Sequence, residues 1–258
     1  MEKKELLYEG KAKKVYLTNE DNKVLIEFKD DITAFDGAKK AVIEDKGKIN
    51  AKITKAIFNM LEKVGVKTHF IKEISDREHL NYKLEIIPVE VVIRNIAAGS
   101  FSKRYGIKEG EVLEKPLYEF FLKNDELHDP MLCLPHILLF KLANEKEIEY
   151  MVKQAFKVNE TLKEFFDKHG ILLVDFKLEF GRYYLKEGEE KNFEGMPIFE
   201  NEKGKYVILL GDEFTPDSCR LWKKETGEKL DKDVFRRDLG DVKEKYMKVY
   251  KIVVGEEK

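Results

Sequence analysis

Cysteine is scarce in this chain of 258 residues, which contains only Cys133 and Cys219. Two cysteines cannot form a disulfide framework, and no CxxC pair or Cys/His spacing predicts structural zinc. A reducing compartment, the cytoplasm, is therefore expected.

The net charge is also small, at -2, because 48 basic residues offset 50 acidic ones. Without a strong positive field the chain lacks the main driving force for binding nucleic acid, so we expect no such partner.

The chain also lacks a long hydrophobic run. Its most apolar stretch, residues 131–140, contains Pro135 and His136 and is much shorter than the roughly 20 residues that span a bilayer. The first residues, MEKKELLYEG, carry charges where a secretory signal needs apolar side chains. We therefore expect neither a membrane span nor a signal peptide.

Strand and helix patterns are mixed along the sequence without strict alternation. Short alternating segments over residues 6–29 predict an antiparallel meander. Apolar residues at three- and four-residue spacing predict amphipathic helices over 48–64 and 145–168. The other predicted elements are strands at 67–74, 81–87, 171–180 and from 206, and short helices at 232–239 and 242–253. This order favours an α+β fold over a doubly wound parallel sheet.

Pro88 marks a predicted boundary between two lobes, because proline commonly punctuates a strand. Residues 1–87 would form a β-rich lobe and residues 88–258 a larger mixed lobe. Within the second lobe, residues 181–205 are rich in Glu, Lys and Gly and have neither helical nor strand rhythm. They predict an exposed hairpin insertion.

The strand around LLVDFKLEF carries three charges at a spacing of two, Asp175, Lys177 and Glu179. Alternate side chains of a strand point to one face, so two carboxylates and an ammonium group would line one surface. An oxygen-ligand metal site with a phosphate-facing lysine needs these groups. A solvated strand face with ion pairs explains the same pattern.

A second acidic segment, GDEFTPDSCRLW, follows the strand that begins near residue 206. If the two strands pair as a hairpin, Glu179 and Asp212 meet, and two such carboxylates would hold Mg²⁺ against phosphate oxygens. A charged turn is the alternative interpretation.

Two further segments have features of phosphate sites. In EGKAKKVY, Gly10 occupies a turn before Lys11 and Lys13, and amides around a glycine together with a lysine can hold phosphates. In VVIRNIAAGSFSKRYG, Arg94 leaves a strand and Ser100 stands at a predicted helix N-cap, which would suit a phosphate monoester. A basic hairpin face and a purely structural cap are the respective alternatives. The chain contains neither a Walker A pattern nor GxGxxG.

Six segments occur in order across nearly the whole chain: LLYEGKAKKVY, FKDDITAFDG, IPVEVVIRNIAAGSFSKRYG, LKNDELHDPM, LLVDFKLEFG and GDEFTPDSCRLW. Together they closely resemble the SAICAR synthetase family of purine synthesis. The resemblance implies a ligase that uses ATP to join L-aspartate to the 4-carboxylate of carboxyaminoimidazole ribonucleotide (CAIR), giving SAICAR, ADP and phosphate. It implies a two-lobed α+β fold with ATP between the lobes and Mg²⁺ as cofactor. We also expect a homodimer.

The resemblance implies roles for individual residues. ATP would contact Gly10, Lys11, Ala12, Lys13, Val15, Lys83, Glu85 and Ile86. The metal would be held by Glu179 and Asp212. Substrate would be bound by Gly37, Arg94, Ser100 and Arg220, and the reacting centre would involve Asp36, Asp129, Asp175 and Lys177.

The sequence departs from the family pattern at three places. Phe35 stands where the family more often has glycine, which alone adopts positive φ freely. Cys219 replaces a small polar residue, and the insertion at 181–205 is longer than the usual hairpin. Two other functions fit a similar ATP lobe: a regulatory nucleotide-binding module that lacks turnover, and a small-molecule or lipid kinase. The presence of Glu179, Asp212, Lys177 and Arg94 together argues against the first. The second is disfavoured because the Arg94, Ser100 and Arg220 set suits a phosphorylated substrate.

Overall fold

Strands and helices are mixed along the chain, as the sequence predicts. The computed structural model describes residues 2–35 and 37–255. Its strands are β1 (Lys3–Glu9), β2 (Lys13–Thr18), β3 (Lys23–Phe28), β4 (Asp31–Ala34), β5 (Lys39–Val42), β6 (Phe70–Ser75), β7 (Glu78–Tyr82), β8 (Glu85–Ile96), β9 (Val112–Leu122), β10 (Met131–Leu132), β11 (Ile171–Tyr184), β12 (Phe199–Asn201), β13 (Gly204–Leu210) and β14 (Cys219–Lys223). Its helices are α1 (Lys46–Lys63), α2 (Gly99–Tyr105), α3 (Leu134–Leu139), α4 (Glu145–Lys168), α5 (Asp233–Arg236) and α6 (Val242–Val254). Within those residues, none of the helices has the length and apolar character needed to cross a membrane.

The first sheet is antiparallel and has the order β1-β2-β3-β7-β6. Val24, Ile26 and Phe28 alternate along β3 and pack on Ala51 of α1, which explains why this face of the strand is apolar. The predicted meander is therefore confirmed, and α1 begins two residues before its predicted start.

The second sheet has the order β10-β9-β8-β11-β13-β12, and β14 also pairs with β11. Helix α4 covers it with a buried apolar stripe that includes Met151, Val158 and Leu162. The helix has its predicted bounds because the Asn144 side chain caps it: Asn144 Oδ1 accepts a hydrogen bond from Glu147 N at 3.0 Å, and Glu147 accepts one from Asn144 N at 2.8 Å.

The prediction that Pro88 interrupts the chain between strands is wrong, because β8 runs through it. Proline lacks the N–H that a regular ladder needs, but the register between β8 and β11 shifts just there, between the Glu179–Glu90 and Gly181–Ile86 pairs. The first sheet ends at Tyr82 and the second begins at Glu85. The division of the chain at residues 87 and 88 stays a prediction.

The prediction that residues 181–205 lack strand structure is wrong at both ends and also at residues 199–201, which form β12. Strand β11 continues to Tyr184, and β13 already begins at Gly204. A Cβ atom at Gly181 would lie 2.7 Å from Leu84 Cβ. Glycine at this position therefore lets β11 continue past the close approach of the chain before β8.

Candidate active site

A cavity of about 610 Å³ lies between the two sheets. Most of the residues predicted to form a site line it: Gly10, Lys11, Ala12, Lys13, Val15, Lys83, Ile86, Arg94, Ser100, Asp129, Asp175, Lys177, Glu179, Asp212 and Arg220. Two predicted residues, Gly37 and Glu85, are not part of its lining. Asp36 lies outside the described residues.

Two of the predicted acids are brought together by the pairing of β11 with β13. These strands are antiparallel neighbours, and Gly211 N donates a hydrogen bond to Glu179 O at 2.9 Å. Glu179 and Asp212 therefore reach the same cavity from adjoining strands. Asp175, Lys177 and Glu179 all line it as well, so the prediction that they share one face of the strand is confirmed.

Lysine side chains occupy the space between these acids. Lys177 Nζ lies 2.9 Å from Glu179 Oε1 and 2.6 Å from Glu90 Oε1. Lys123 Nζ lies 2.8 Å from the same Glu179 oxygen. Burial opposes the charge of Lys177, but Glu179 and Glu90 outweigh it and raise the pKa of that lysine well above its ordinary value. The lysine is therefore held as a cation inside the cavity.

Lys13 reaches the other acid from the first sheet. Its Nζ contacts Asp212 and lies 3.7 Å from Glu213 Oε1. Burial would raise the pKa of Asp212, yet Lys13 and Lys177 hold it far below its usual value. Burial raises the pKa of Glu213 to about 7, with Asp212 adding to the effect. Glu213 Oε2 is buried and has no hydrogen-bond partner among the described residues.

A second charged cluster forms the opposite end of the cavity. The Asp175 carboxylate accepts hydrogen bonds from Arg94 Nη1 and Arg220 Nη1, each at 2.8 Å. Arg94 also pairs with Glu119, and Arg220 Nε donates to Asp233 at 3.0 Å. Because Asp175 touches both guanidinium groups, it fixes their separation.

The N-terminus of α2 lies against this cluster. Gly99 has φ of 54°, and a Cβ atom there would lie 2.3 Å from Arg220 Nη2. The prediction that Ser100 is the N-cap is wrong: the cap is Ala98, which is extended and fully buried, and Ser100 is the second residue of the helix. The small residues here let the helix start close to Arg220.

An apolar patch lines the remaining part of the cavity. It consists of Val15, Val24 and Ile26 from the first sheet and of Tyr82, Leu84 and Ile86 from the segment that joins the sheets. We call residues 82–86 the hinge. Its backbone is fixed by hydrogen bonds from Tyr82 N to His69 O at 2.7 Å and from Lys83 N to Asn22 O at 2.9 Å.

Two loops contain non-glycine residues with positive φ, and the first of them, at Asp129, lines the cavity. Asp129 has φ of 47° and accepts a hydrogen bond from Asn124 N at 2.9 Å, and the preceding His128 has φ of 58°. Phe35, in the turn between β4 and β5, has φ of 52°. A non-glycine residue thus holds the left-handed conformation at the position where the resemblance suggests glycine. Such strain clusters at functional sites.

Several cavity residues were not among the predicted site residues: Glu90, Lys123, Asp217, Lys232 and Arg236. Glu90 shares a strand face with Arg94 at a spacing of four, a signal that the sequence did contain. Lys232 and Arg236 come from the region of α5. No local sequence pattern links these two residues to the cavity, because they are distant along the chain from most of the other site residues.

Comparison with known proteins identifies the fold and the reaction. The family model described as SAICAR synthetase matches residues 6–253. The chain belongs to the SAICAR synthetase family. It is 54% identical to the phosphoribosylaminoimidazole-succinocarboxamide synthase of Persephonella marina. The alignment spans 249 residues and covers 96% of each chain.

Solved SAICAR synthetase structures have the same fold. The enzyme from Ehrlichia chaffeensis is 42% identical, with a TM-score of 0.88 over 98% of this chain and 100% of that one. A SAICAR synthetase in complex with ADP is 44% identical, with a TM-score of 0.85 over 97% and 98%. The predicted family and α+β fold are confirmed. The protein is a ligase that joins CAIR and L-aspartate with ATP.

Proposed function

We propose that this cavity is where the ligation takes place, with ATP and CAIR entering from opposite ends. The observation that carries the proposal is the order of residues along β11. Asp175 contacts Arg94 and Arg220, Lys177 and Glu179 follow with Asp212 on the neighbouring strand, and Gly181 then lies against Leu84 and Ile86 of the apolar patch. The apolar patch suits a purine base, and two guanidinium groups suit a phosphate monoester.

The ATP end would be formed by the turn at Gly10 and by the hinge. Lys11, Ala12 and Lys13 would contact the phosphates, and Val15, Lys83 and Ile86 the nucleoside. Glu85 is given a different role from the expected one, because its side chain pairs with Arg182 at 3.3 Å and with Lys203. It supports the hinge from outside the cavity.

Mg²⁺ fits the acids at the centre. Glu179, Asp212 and the unpartnered oxygen of Glu213 supply only oxygen donors, which Mg²⁺ prefers together with phosphate oxygens and water. No preformed set of three or more ligands occurs within residues 2–35 and 37–255. When bound, Mg²⁺ would neutralise charge on the phosphate oxygens.

The CAIR end would be formed by Arg94, Ser100 and Arg220, with Asp175 acting as the acid that sets the spacing of the two arginines. Gly37, Asp36 and Asp129 are proposed to surround the imidazole carboxylate. Of these, Asp129 lines the cavity.

The chemistry follows from the poor reactivity of a carboxylate toward an amine. A CAIR carboxylate oxygen attacks the γ-phosphorus of ATP, the bond to the bridging oxygen breaks and ADP leaves. The amine of L-aspartate then attacks the acyl carbon, loses a proton and expels phosphate, which carries the former carboxylate oxygen. Lys13, Lys123 and Lys177 stabilise the negative charge that develops where triphosphate and carboxylate meet.

Isotope transfer tests this mechanism directly. CAIR labelled with ¹⁸O in the 4-carboxylate should transfer one labelled oxygen to each phosphate released, and ADP release should require both CAIR and L-aspartate. Unlabelled phosphate, or equal ATP hydrolysis without either substrate, would contradict the proposal.

We further propose that the enzyme works in the cytoplasm as a homodimer. The two cysteines are unpaired, as expected in a reducing compartment. Measurement of the molar mass in solution by light scattering would test the dimer.

A further inference from the structure

The segment between β11 and β12, residues 185–198, packs behind one wall of the cavity. We call it the brace. It contains a short 3₁₀ turn, Glu189–Phe193, and the side chain of Phe193 is only 5% exposed. Phe193 belongs to a separate apolar cluster with Tyr183, Val207 and Leu209. The predicted insertion is therefore anchored by a small core of its own.

This small core is shared with the cavity wall through the hinge. Tyr82 and Leu84 line the cavity and also pack against the cluster of the brace. The Tyr82 ring centroid lies 5.6 Å from that of Phe193 and 4.6 Å from that of Tyr183. Tyr82 therefore lines the cavity and packs on Phe193 and Tyr183 as well, so these two rings limit where the Tyr82 ring can lie.

A half-buried carboxylate of the brace, that of Glu189, adds a polar link to the first sheet. Glu189 accepts hydrogen bonds from Tyr183 OH at 3.0 Å and from Asn22 Nδ2 at 3.3 Å, and also from Lys186 N at 2.9 Å. Asn22 lies in the turn between β2 and β3, and its carbonyl oxygen accepts the hydrogen bond from Lys83 N. The brace therefore contacts the first sheet and the hinge together.

We propose that Phe193 and Glu189 are positioning residues that hold the hinge in the geometry needed to bind the base of ATP. The inference rests on the proposed nucleotide end of the cavity. Neither residue touches the Arg94–Arg220 cluster, which is built from β8, β11, β14 and α5. Their effect is therefore confined to the nucleotide and spares CAIR and L-aspartate.

The sharpest test compares Phe193→Ala with a matched control in the same predicted insertion, residues 181–205. Phe199→Ala also removes an aromatic ring, which is half-buried where that of Phe193 is buried. Phe199 stacks on Tyr206 and contacts Tyr150 of α4 rather than Tyr82 of the hinge. We expect Phe193→Ala to raise KM for ATP about tenfold with kcat nearly unchanged, as loss of uniform binding predicts. KM for CAIR and for L-aspartate should stay within twofold, and Phe193→Leu should restore most of the ATP affinity.

Equilibrium binding of ADP alone, measured by calorimetry, provides a second readout. Kd for ADP should rise in Phe193→Ala and remain at the native value in Phe199→Ala. If Phe193→Ala does not fold, Phe193→Leu and Glu189→Gln carry the test, each with an expected rise in Kd of about threefold.

Equal Kd values in the Phe193 and Phe199 variants would overturn the inference, as would a parallel rise in all three KM values. Failure of the proposed function would look different, because the native protein itself would then bind no ADP or would release phosphate without both substrates.

Discussion

Gly99 offers a test of how closely α2 must approach Arg220. A Cβ atom at this position would lie 2.3 Å from Arg220 Nη2 and 2.7 Å from Cζ. Gly106, at the other end of the same helix, also has positive φ, at 68°, but a Cβ atom there would meet nothing within 4 Å. Gly99→Ala and Gly106→Ala therefore share the backbone strain and differ in the contact with Arg220.

The backbone strain of a left-handed alanine is about 1–2 kcal/mol and should appear in both variants. In Gly99→Ala the guanidinium group must also move, which weakens its hydrogen bonds to Asp175 at 2.8 Å and Asp233 at 3.0 Å. Charge-assisted hydrogen bonds contribute about 1.5–3 kcal/mol each, so an additional loss of about 3 kcal/mol of folding free energy is expected. A displacement of about 1 Å at a substrate-holding group commonly lowers the rate about 100-fold.

Two assays separate these effects. Urea unfolding should show a loss of about 1–2 kcal/mol in Gly106→Ala and a larger loss in Gly99→Ala. Steady-state kinetics should show kcat/KM for CAIR reduced about 100-fold in Gly99→Ala alone. Equal kcat/KM values for CAIR in the two variants would refute the idea that Arg220 must be held in this position.

Three further predictions concern the buried charges and their surroundings. Burial lowers the pKa of His79 from 6.5 to about 4. As the pH falls, His79 therefore takes up a proton in the unfolded chain before it does so in the native fold. The free energy of unfolding should consequently decrease by about 2 kcal/mol between pH 7.5 and pH 5 because of this group. His79→Leu should lose that much less in urea unfolding, and an unchanged pH dependence would contradict the assignment. Glu179→Gln and Asp212→Asn should each lower Mg²⁺-dependent turnover at least about 100-fold, while ADP binding without Mg²⁺ persists. Full activity in either variant would show that the substituted residue is not a metal ligand. Lys46 Nζ lies 2.5 Å from Asp217 and both side chains are buried, so Lys46→Met should reduce the free energy of unfolding by about 3 kcal/mol; a urea titration that shows less than about 1 kcal/mol would mean that the other hydrogen bonds to Asp217 suffice.

Much of the fold follows from local patterns. The bounds of α4 follow from a cap and an apolar stripe that are both visible in the sequence. The face shared by Asp175, Lys177 and Glu179 follows from the two-residue period of a strand. Strand continuity through Pro88 does not follow, because a bulge that tolerates proline depends on the register with a neighbouring strand. The Ser100 cap also fails, because the helix already begins at Gly99, where the absence of a side chain allows the close approach to Arg220.

The family, the α+β class and the residue types that the chemistry needs can be read from the sequence, because they depend on motifs and on periodic patterns along the chain. Which charges meet is seen only in the folded chain. The contact of Lys13 with Asp212 joins residues far apart in the sequence, and the packing of Phe193 behind Tyr82 turns an irregular insertion into a support for the hinge. Such pairings depend on how two sheets pack around one cavity, and local sequence patterns contain no information about that packing.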